Sequence, residues 1–96
     1  MKILDYFEHP RFGVIVSSTD SKFDNFSDDE IKKRIGDTIV LVSNSHQRKL
    51  VKVKNVDIAT SLTGKKNINI CLSDSVTLSD LQPISQLLLL SEINVA

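Results

Sequence analysis

Apolar and polar residues alternate along several short segments of this chain, which is the pattern of strands with one buried face. The clearest case is residues 67–72, where Ile68, Ile70 and Leu72 occupy every second position. Partial alternation predicts strands over residues 1–7, 12–16 and 49–58, and a run of four adjacent apolar residues predicts another over residues 38–42. Polar loops are predicted between them at residues 17–25, 44–47 and 60–66, because Ser, Thr, Asp, Asn and Gly favour turns.

The strand predicted over residues 49–58 changes phase in its middle. Val51 and Val53 are apolar at odd positions, whereas Val56 and Ile58 are apolar at even positions. Because side chains alternate between the two faces of a strand, both pairs are buried only if one extra residue is inserted between them. The sequence therefore predicts a β-bulge near residues 54–55.

A short helix is predicted over residues 28–35. Ser27 is suited to cap its first turn, and Glu30 stands three residues later at the second position of a capping box. Phe26 and Ile31 occupy the two positions of a hydrophobic staple. Gly36 supplies the positive-φ residue that ends the helix.

The last part of the chain allows two interpretations. Residues 73–75 are predicted to form a turn, and residues 77–82 a short 3₁₀ element. Helical spacing would join Ile84, Leu87 and Leu88, but it would place Leu89 on the opposite side. We therefore favour a closing strand over residues 86–92.

These elements predict a mainly β fold in a single domain of residues 1–96. About six short strands with one short α-helix favour a small closed antiparallel β-barrel. A hydrophobic fraction of 41% in 96 residues is enough for one small core. All aromatic residues lie in the first 26 positions, so the rest of the core is expected to be Ile, Val and Leu.

The cysteine content and the apolar runs bear on where the protein works. Cys71 is the only cysteine, which excludes an internal disulfide and favours a buried, inert thiol. Asp5 and Glu8 interrupt the first apolar residues, so no signal peptide is expected. The apolar run at residues 87–90 is far too short to span a bilayer. We expect a cytoplasmic protein without membrane association.

Two segments resemble the second domain of translational GTPases of the elongation-factor-Tu kind. They are Ile-Gly-Asp-Thr-Ile-Val-Leu at residues 35–41 and Leu-Val-Lys-Val-Lys-Asn-Val at residues 50–56. The similarity covers about residues 31–84. It departs from the family where a glycine is replaced by the pair at residues 65–66, and the helix at residues 28–35 is an addition. The resemblance implies a binding barrel that meets RNA or another domain. It does not imply GTP hydrolysis, because there is no Walker A sequence.

Catalytic and metal-binding patterns are missing from the sequence. His9 and His46 fall in separate predicted loops, without carboxylates or cysteines at metal-ligand spacing. There is no Gly-x-Ser-x-Gly motif, and three glycines are too few for a phosphate-binding loop. We therefore predict no enzyme activity, no catalytic residue, no metal and no cofactor.

The net charge of zero conceals a basic centre. Residues 31–66 contain nine basic and two acidic residues, whereas residues 1–30 contain three basic and seven acidic ones. Arg48, Lys52 and Lys54 are expected to project outward in or just before the strand predicted over residues 49–58, opposite its valines. The loop over residues 60–66 is expected to fold over the same rim. The predicted basic rim consists of Arg48, Lys49, Lys52, Lys54, Lys65 and Lys66. It suits either phosphate contacts or a purely solvated face.

Two function classes remain from these charges. The first is a small non-enzymatic module for protein–protein interaction, of an accessory, regulatory or immunity type. Its predicted acidic interaction surface is Asp20, Asp24, Asp28 and Asp29. The second is a barrel that binds RNA or ribonucleoprotein through the basic rim, although no aromatic residue is interleaved with the lysines. Pairing of the acidic and basic regions between copies would give homo-oligomers.

Overall fold

The computed structural model describes residues 1–73 and 84–90 of the chain. These residues form one antiparallel sheet of six strands with a single α-helix, so the mainly β prediction is confirmed. The strands are β1 (Lys2–His9), β2 (Gly13–Thr19), β3 (Thr38–Ser43), β4 (Arg48–Thr60), β5 (Lys66–Leu72) and β6 (Ile84–Leu89). A 3₁₀ turn, Ser21–Phe23, and helix α1, Asp28–Ile35, lie between β2 and β3. The order across the sheet is β1-β2-β5-β4-β3-β6.

Helix α1 has the predicted bounds and the predicted ends. The Ser27 hydroxyl accepts a hydrogen bond from the Glu30 backbone N–H at 3.2 Å. At the other end, the N–H of Gly36 donates to the Lys32 carbonyl at 3.0 Å, and Gly36 has a φ of 69°. A side chain at this φ would be strained, which is why a glycine stands there.

The predicted β-bulge lies in β4. Val53 pairs with Leu72 of β5, and the next paired residue, Asn55, faces Cys71. Lys54 is therefore the extra residue, and the valines on both sides of it contribute to the same core. The phase change in the sequence identified the bulge correctly.

The inner face of the curled sheet packs against the 3₁₀ turn and α1. Phe23 and Ile31 are fully buried, and Ile35 is almost so. They join a single core cluster with the inward-facing strand residues Val14, Val16, Ile39, Leu41, Val51, Val56, Ile68, Ile70, Leu72, Leu87 and Leu89. The aromatic and aliphatic side chains of one small helical segment thus fill the concave side of the sheet.

The prediction of a closed barrel is wrong, because the sheet is a curled half-barrel that stays open between β1 and β6. Among the described residues these strands are joined by one hydrogen bond, from the Met1 nitrogen to the Leu87 carbonyl at 2.8 Å. A β-bulge between Ile3 and Asp5 follows at once, and beyond it β1 pairs with β2 alone. Since a bulge bends its strand, β1 does not continue along β6. The 3₁₀ turn and α1 fill space that a closed barrel would fill with strand side chains.

The last described segment settles one of the two interpretations of the tail. Residues Ile84–Leu89 form strand β6, which pairs with β3, so the predicted strand is confirmed for residues 86–89 and the helical interpretation is wrong there, whereas Leu90 lies after the end of the strand. The predicted 3₁₀ element at residues 77–82, most of the predicted turn at residues 73–75, and the last two residues of the predicted strand lie outside the described residues.

Substitution of Val53 by proline should prevent folding. The Val53 backbone N–H donates to the Asp37 carbonyl at 2.8 Å, and this bond ties β4 to the end of the helical segment. Proline removes the donor and the core side chain together. We expect no cooperative thermal transition for Val53→Pro, whereas Val53→Ala keeps the donor and should melt cooperatively at a lower temperature. A cooperative melt of both variants at similar temperatures would contradict the assignment.

Candidate interaction surface

An apolar row crosses the outer face of three neighbouring strands. Val40 of β3 pairs with Leu50 of β4 on one side and with Leu88 of β6 on the other. Val40 is only 4% exposed, but Leu50 is 66% exposed. A single exposed leucine is common on protein surfaces. What distinguishes Leu50 is that it extends an otherwise buried or half-buried apolar row into solvent.

Two cations flank this row. Arg48 pairs with Val42 and Lys52 pairs with Thr38, so both lie one step from the row on the same face of the sheet. A shallow depression of about 280 Å³ lies here and is lined by Val40, Arg48, Leu50 and Leu90. We call the set Arg48, Leu50, Lys52, Val40, Leu88 and Leu90 the basic apolar face.

The six residues of the predicted basic rim do not lie together. Lys49 has the parity of Val51 and pairs with Leu41, so it extends from the inner side of the sheet rather than from the outer face. Lys66 pairs with Thr60 at the far end of β4. That pair lies eight positions beyond Lys52, about 25 Å along the strand. Lys65 precedes Lys66 in the turn, so this pair of lysines belongs to a different end of the molecule.

Lys66 takes part in an internal contact with the acidic segment. Its backbone N–H donates to the Asp24 carboxylate at 3.1 Å, and its Nζ lies 3.3 Å from the Asp28 carboxylate. The Lys66 side chain is 14% exposed. These contacts fix the loop before α1 to the start of β5, so Lys66 stabilises the fold and offers little surface to a partner.

The predicted acidic surface is largely engaged in the same way. Asp20 caps the 3₁₀ turn by accepting the Lys22 N–H at 3.2 Å, and its carboxylate lies 3.6 Å from Lys22 Nζ. Asp24 and Asp28 bind Lys66. Asp29 is exposed in the first turn of α1. An acidic interaction surface therefore stays a prediction, and most of its members already have structural roles.

The leucines of the basic apolar face were not among the predicted site residues. A signal for them was present in the sequence, because residues 39–42 and 87–90 are apolar at every position. Strands that are apolar on both sides are covered on both sides in most folds. Here the inner side is covered by the core, and on the outer side Val40 and Val42 are buried while Leu50 stays exposed.

The Cys71 thiol lies on the outer face of the other half of the sheet. It is buried, and this burial raises its pKa above the ordinary value, with the negative charge of Asp57 adding to the effect and Lys54 opposing it. A thiol with a raised pKa is mostly protonated at neutral pH and is a poor nucleophile.

Two other properties of the described residues bear on function. Within residues 1–73 and 84–90, His, Cys, Asp and Glu side chains form no group of three that would hold a metal ion. No helix in that part of the chain has the length and apolar character needed to cross a membrane.

Comparison of the chain with protein-family models, with curated proteins and with solved structures gives no match. The resemblance to the second domain of translational GTPases therefore stays a prediction.

Replacing Asp24 should destabilise the protein more than replacing Asp29, which lies in the first turn of α1. Asp24→Ala leaves the partly buried Lys66 N–H without its acceptor, which costs about 1–3 kcal/mol. Asp29→Ala removes a charge near the helix N-terminus and should cost less than about 1 kcal/mol. Urea unfolding of both variants gives the two free energies. Equal losses would contradict the structural role assigned to Asp24.

The native Cys71 thiol should react slowly with iodoacetamide. Because burial limits access and raises the pKa, we expect a rate at least about tenfold below that of the unfolded chain at neutral pH. The pH midpoint of alkylation should be higher for the native protein than for the protein in denaturant. A native midpoint below the denatured one would mean that the thiol is activated.

Proposed function

We propose that this protein is a non-enzymatic interaction module that binds an acidic, amphipathic protein segment through its basic apolar face. The observation that carries the proposal is the position of Leu50. It is 66% exposed although it lies within a paired strand, and it belongs to an apolar row and stands between Arg48 and Lys52. Apolar contact provides the affinity of such a site, and the flanking cations provide orientation and a faster encounter.

The centre of this face favours protein over RNA. Phosphates would pair with Arg48 and Lys52 but would leave Leu50 and Leu88 without an apolar partner. Single-stranded bases bind by stacking on aromatic rings. No aromatic side chain belongs to the basic apolar face. A protein segment supplies both kinds of contact, because aliphatic side chains cover the row and carboxylates on both sides meet the cations.

The partner segment is best matched by an amphipathic helix. The row spans three strands, about 10 Å between its outer members, which is close to the rise of two helical turns, about 11 Å. Apolar residues at positions i, i+3, i+4 and i+7 would lie along the row, with Asp or Glu on both flanks. The chain's own helix is not a suitable occupant, because Ile31 and Ile35 of α1 are buried in the core of the same molecule.

The proposal is tested by comparing two leucine substitutions in a binding assay. Leu50→Ser removes the most exposed apolar side chain of the row, whereas Leu62→Ser makes the same change at a fully exposed loop leucine. We expect an RNase-resistant, stoichiometric acidic partner to be recovered with the wild type and with Leu62→Ser. Recovery should fall at least about tenfold with Leu50→Ser, as for the loss of a central interface residue.

The charged flank is tested with a second matched pair. Lys52→Ala should weaken binding and reduce its dependence on salt, whereas Lys65→Ala at the far end of β4 should not. Retention of the partner by Leu50→Ser would overturn the proposal. If RNA is recovered directly, and if Lys52→Ala loses it while Leu50→Ser retains it, the RNA-binding alternative replaces the proposal. Concentration-dependent dimers that Leu50→Ser abolishes would identify a second copy as the occupant.

A further inference from the structure

A second groove lies on the outer face of the opposite half of the sheet. Its floor and sides follow one row across four strands, in which Phe7, Ile15, Cys71 and Asn55 are successive neighbours. Ile15 and Cys71 face outward but are only 8% and 7% exposed. The groove has a volume of about 310 Å³, which is at the lower end of the range for small-molecule sites.

The turn between β1 and β2 holds two rings at the mouth of this groove. The His9 Nδ1 accepts hydrogen bonds from the backbone N–H groups of Arg11 at 3.0 Å and Phe12 at 3.2 Å. The rings of His9 and Phe12 are tilted, with centroids 4.8 Å apart. Because Nδ1 acts as an acceptor, the proton of the neutral imidazole resides on Nε2. The backbone thus holds the His9 ring, and the Phe12 ring, which is 48% exposed, lies against it.

The opposite wall is polar. Asp57 pairs with Asn69, and Asn55 lies next to them on the same strand as Asp57. All three line the groove. Within the described part of the chain their side chains make no hydrogen bond. Two amides and one carboxylate therefore stand beside an apolar floor, where their polar atoms are accessible to a ligand.

We propose that this groove binds a planar heteroaromatic ring of the nucleobase class, with guanine as the preferred base. A flat ring fits between the aromatic side chains and the polar wall, and aromatic contact with a base is favourable for every base. The amides of Asn55 and Asn69 each offer a donor and an acceptor to the edge of the ring.

The carboxylate of Asp57 gives the preference. An ionised carboxylate only accepts hydrogen bonds, and it accepts two at once from adjacent N–H groups. Guanine presents such a pair at N1 and N2. Adenine presents one donor beside an unprotonated ring nitrogen, which would face the carboxylate with a lone pair. Asp57 therefore favours guanine and disfavours adenine.

This groove and the basic apolar face are independent sites. They lie on different strands except for β4, which contributes Leu50 and Lys52 to one and Asn55 and Asp57 to the other. A failure of either proposal leaves the other unaffected, because the test below does not involve Leu50.

The test is titration of the ¹⁵N-labelled protein with guanosine monophosphate, followed by amide chemical shifts. We expect saturable shifts at Phe12, Asn55 and Asn69. Adenosine monophosphate should bind at least about tenfold more weakly, since a mismatched edge leaves polar groups unpaired. Ribose 5-phosphate carries the sugar and phosphate without a base and should cause no shift at these amides.

Matched variants test the two walls separately. Asp57→Asn should reduce the guanine preference, whereas Asp29→Asn on the helix should not. Phe12→Ala should weaken binding of the nucleotide about tenfold through the loss of stacking, whereas Leu62→Ala should leave it unchanged. The first pair makes the same chemical change inside and outside the groove, and the second pair truncates an exposed apolar side chain to alanine inside and outside it.

The outcomes distinguish a free nucleotide from single-stranded RNA as the source of the ring, and they distinguish both from a failure of the proposal. Saturable, groove-localised binding of guanosine monophosphate supports it for a free nucleotide. Tighter binding of a guanine-containing trinucleotide at the same amides supports it with single-stranded RNA as the source. The proposal is overturned if no saturable shift occurs with either ligand, if ribose 5-phosphate gives the same shifts, or if Asp57→Asn and Phe12→Ala bind like the wild type.

Discussion

The packing of the helical segment into the concave side of the sheet is the interaction on which the rest of the structure depends. A six-stranded sheet that stays open between its edge strands β1 and β6 cannot enclose a core by itself. Phe23, Ile31 and Ile35 supply the missing apolar volume, and each such side chain contributes about 1.5–3 kcal/mol when fully buried. The caps at Ser27 and Gly36 set where α1 begins and ends. They therefore also determine where β3 enters the sheet.

Strand β4 connects the two candidate sites through its bulge. Before the bulge, even-numbered residues such as Leu50 and Lys52 face outward, and after it odd-numbered residues such as Asn55 and Asp57 do so. One continuous strand of 13 residues thus presents an apolar, basic surface at one end and a polar groove at the other. The inserted Lys54 lets the valines on both sides of it point into the core, while the outward-facing positions change from even-numbered to odd-numbered.

The features that the sequence predicted correctly are local. The helix bounds follow from Ser27 and Gly36, and the bulge follows from the phase change between Val53 and Val56. Closure of the sheet was predicted wrongly because it depends on whether two strands from opposite ends of the chain meet, which no local pattern records. The role of Lys66 was hidden for the same reason, since its acceptor Asp24 is 42 residues away. The exposure of Leu50 depends on which face of β4 the core leaves uncovered.

The open seam between β1 and β6 has a consequence for how the native state fluctuates. On its seam side, β1 is held by the Met1–Leu87 hydrogen bond among the described residues, whereas β2, β5 and β4 each have partners on both sides. Local opening should therefore start at an edge strand, β1 or β6, and involve less than the whole domain. Backbone amides of β1 would exchange with solvent faster than those of β5. The aromatic turn after β1 would then move whenever this edge strand opens, so the groove would open and close without the core unfolding.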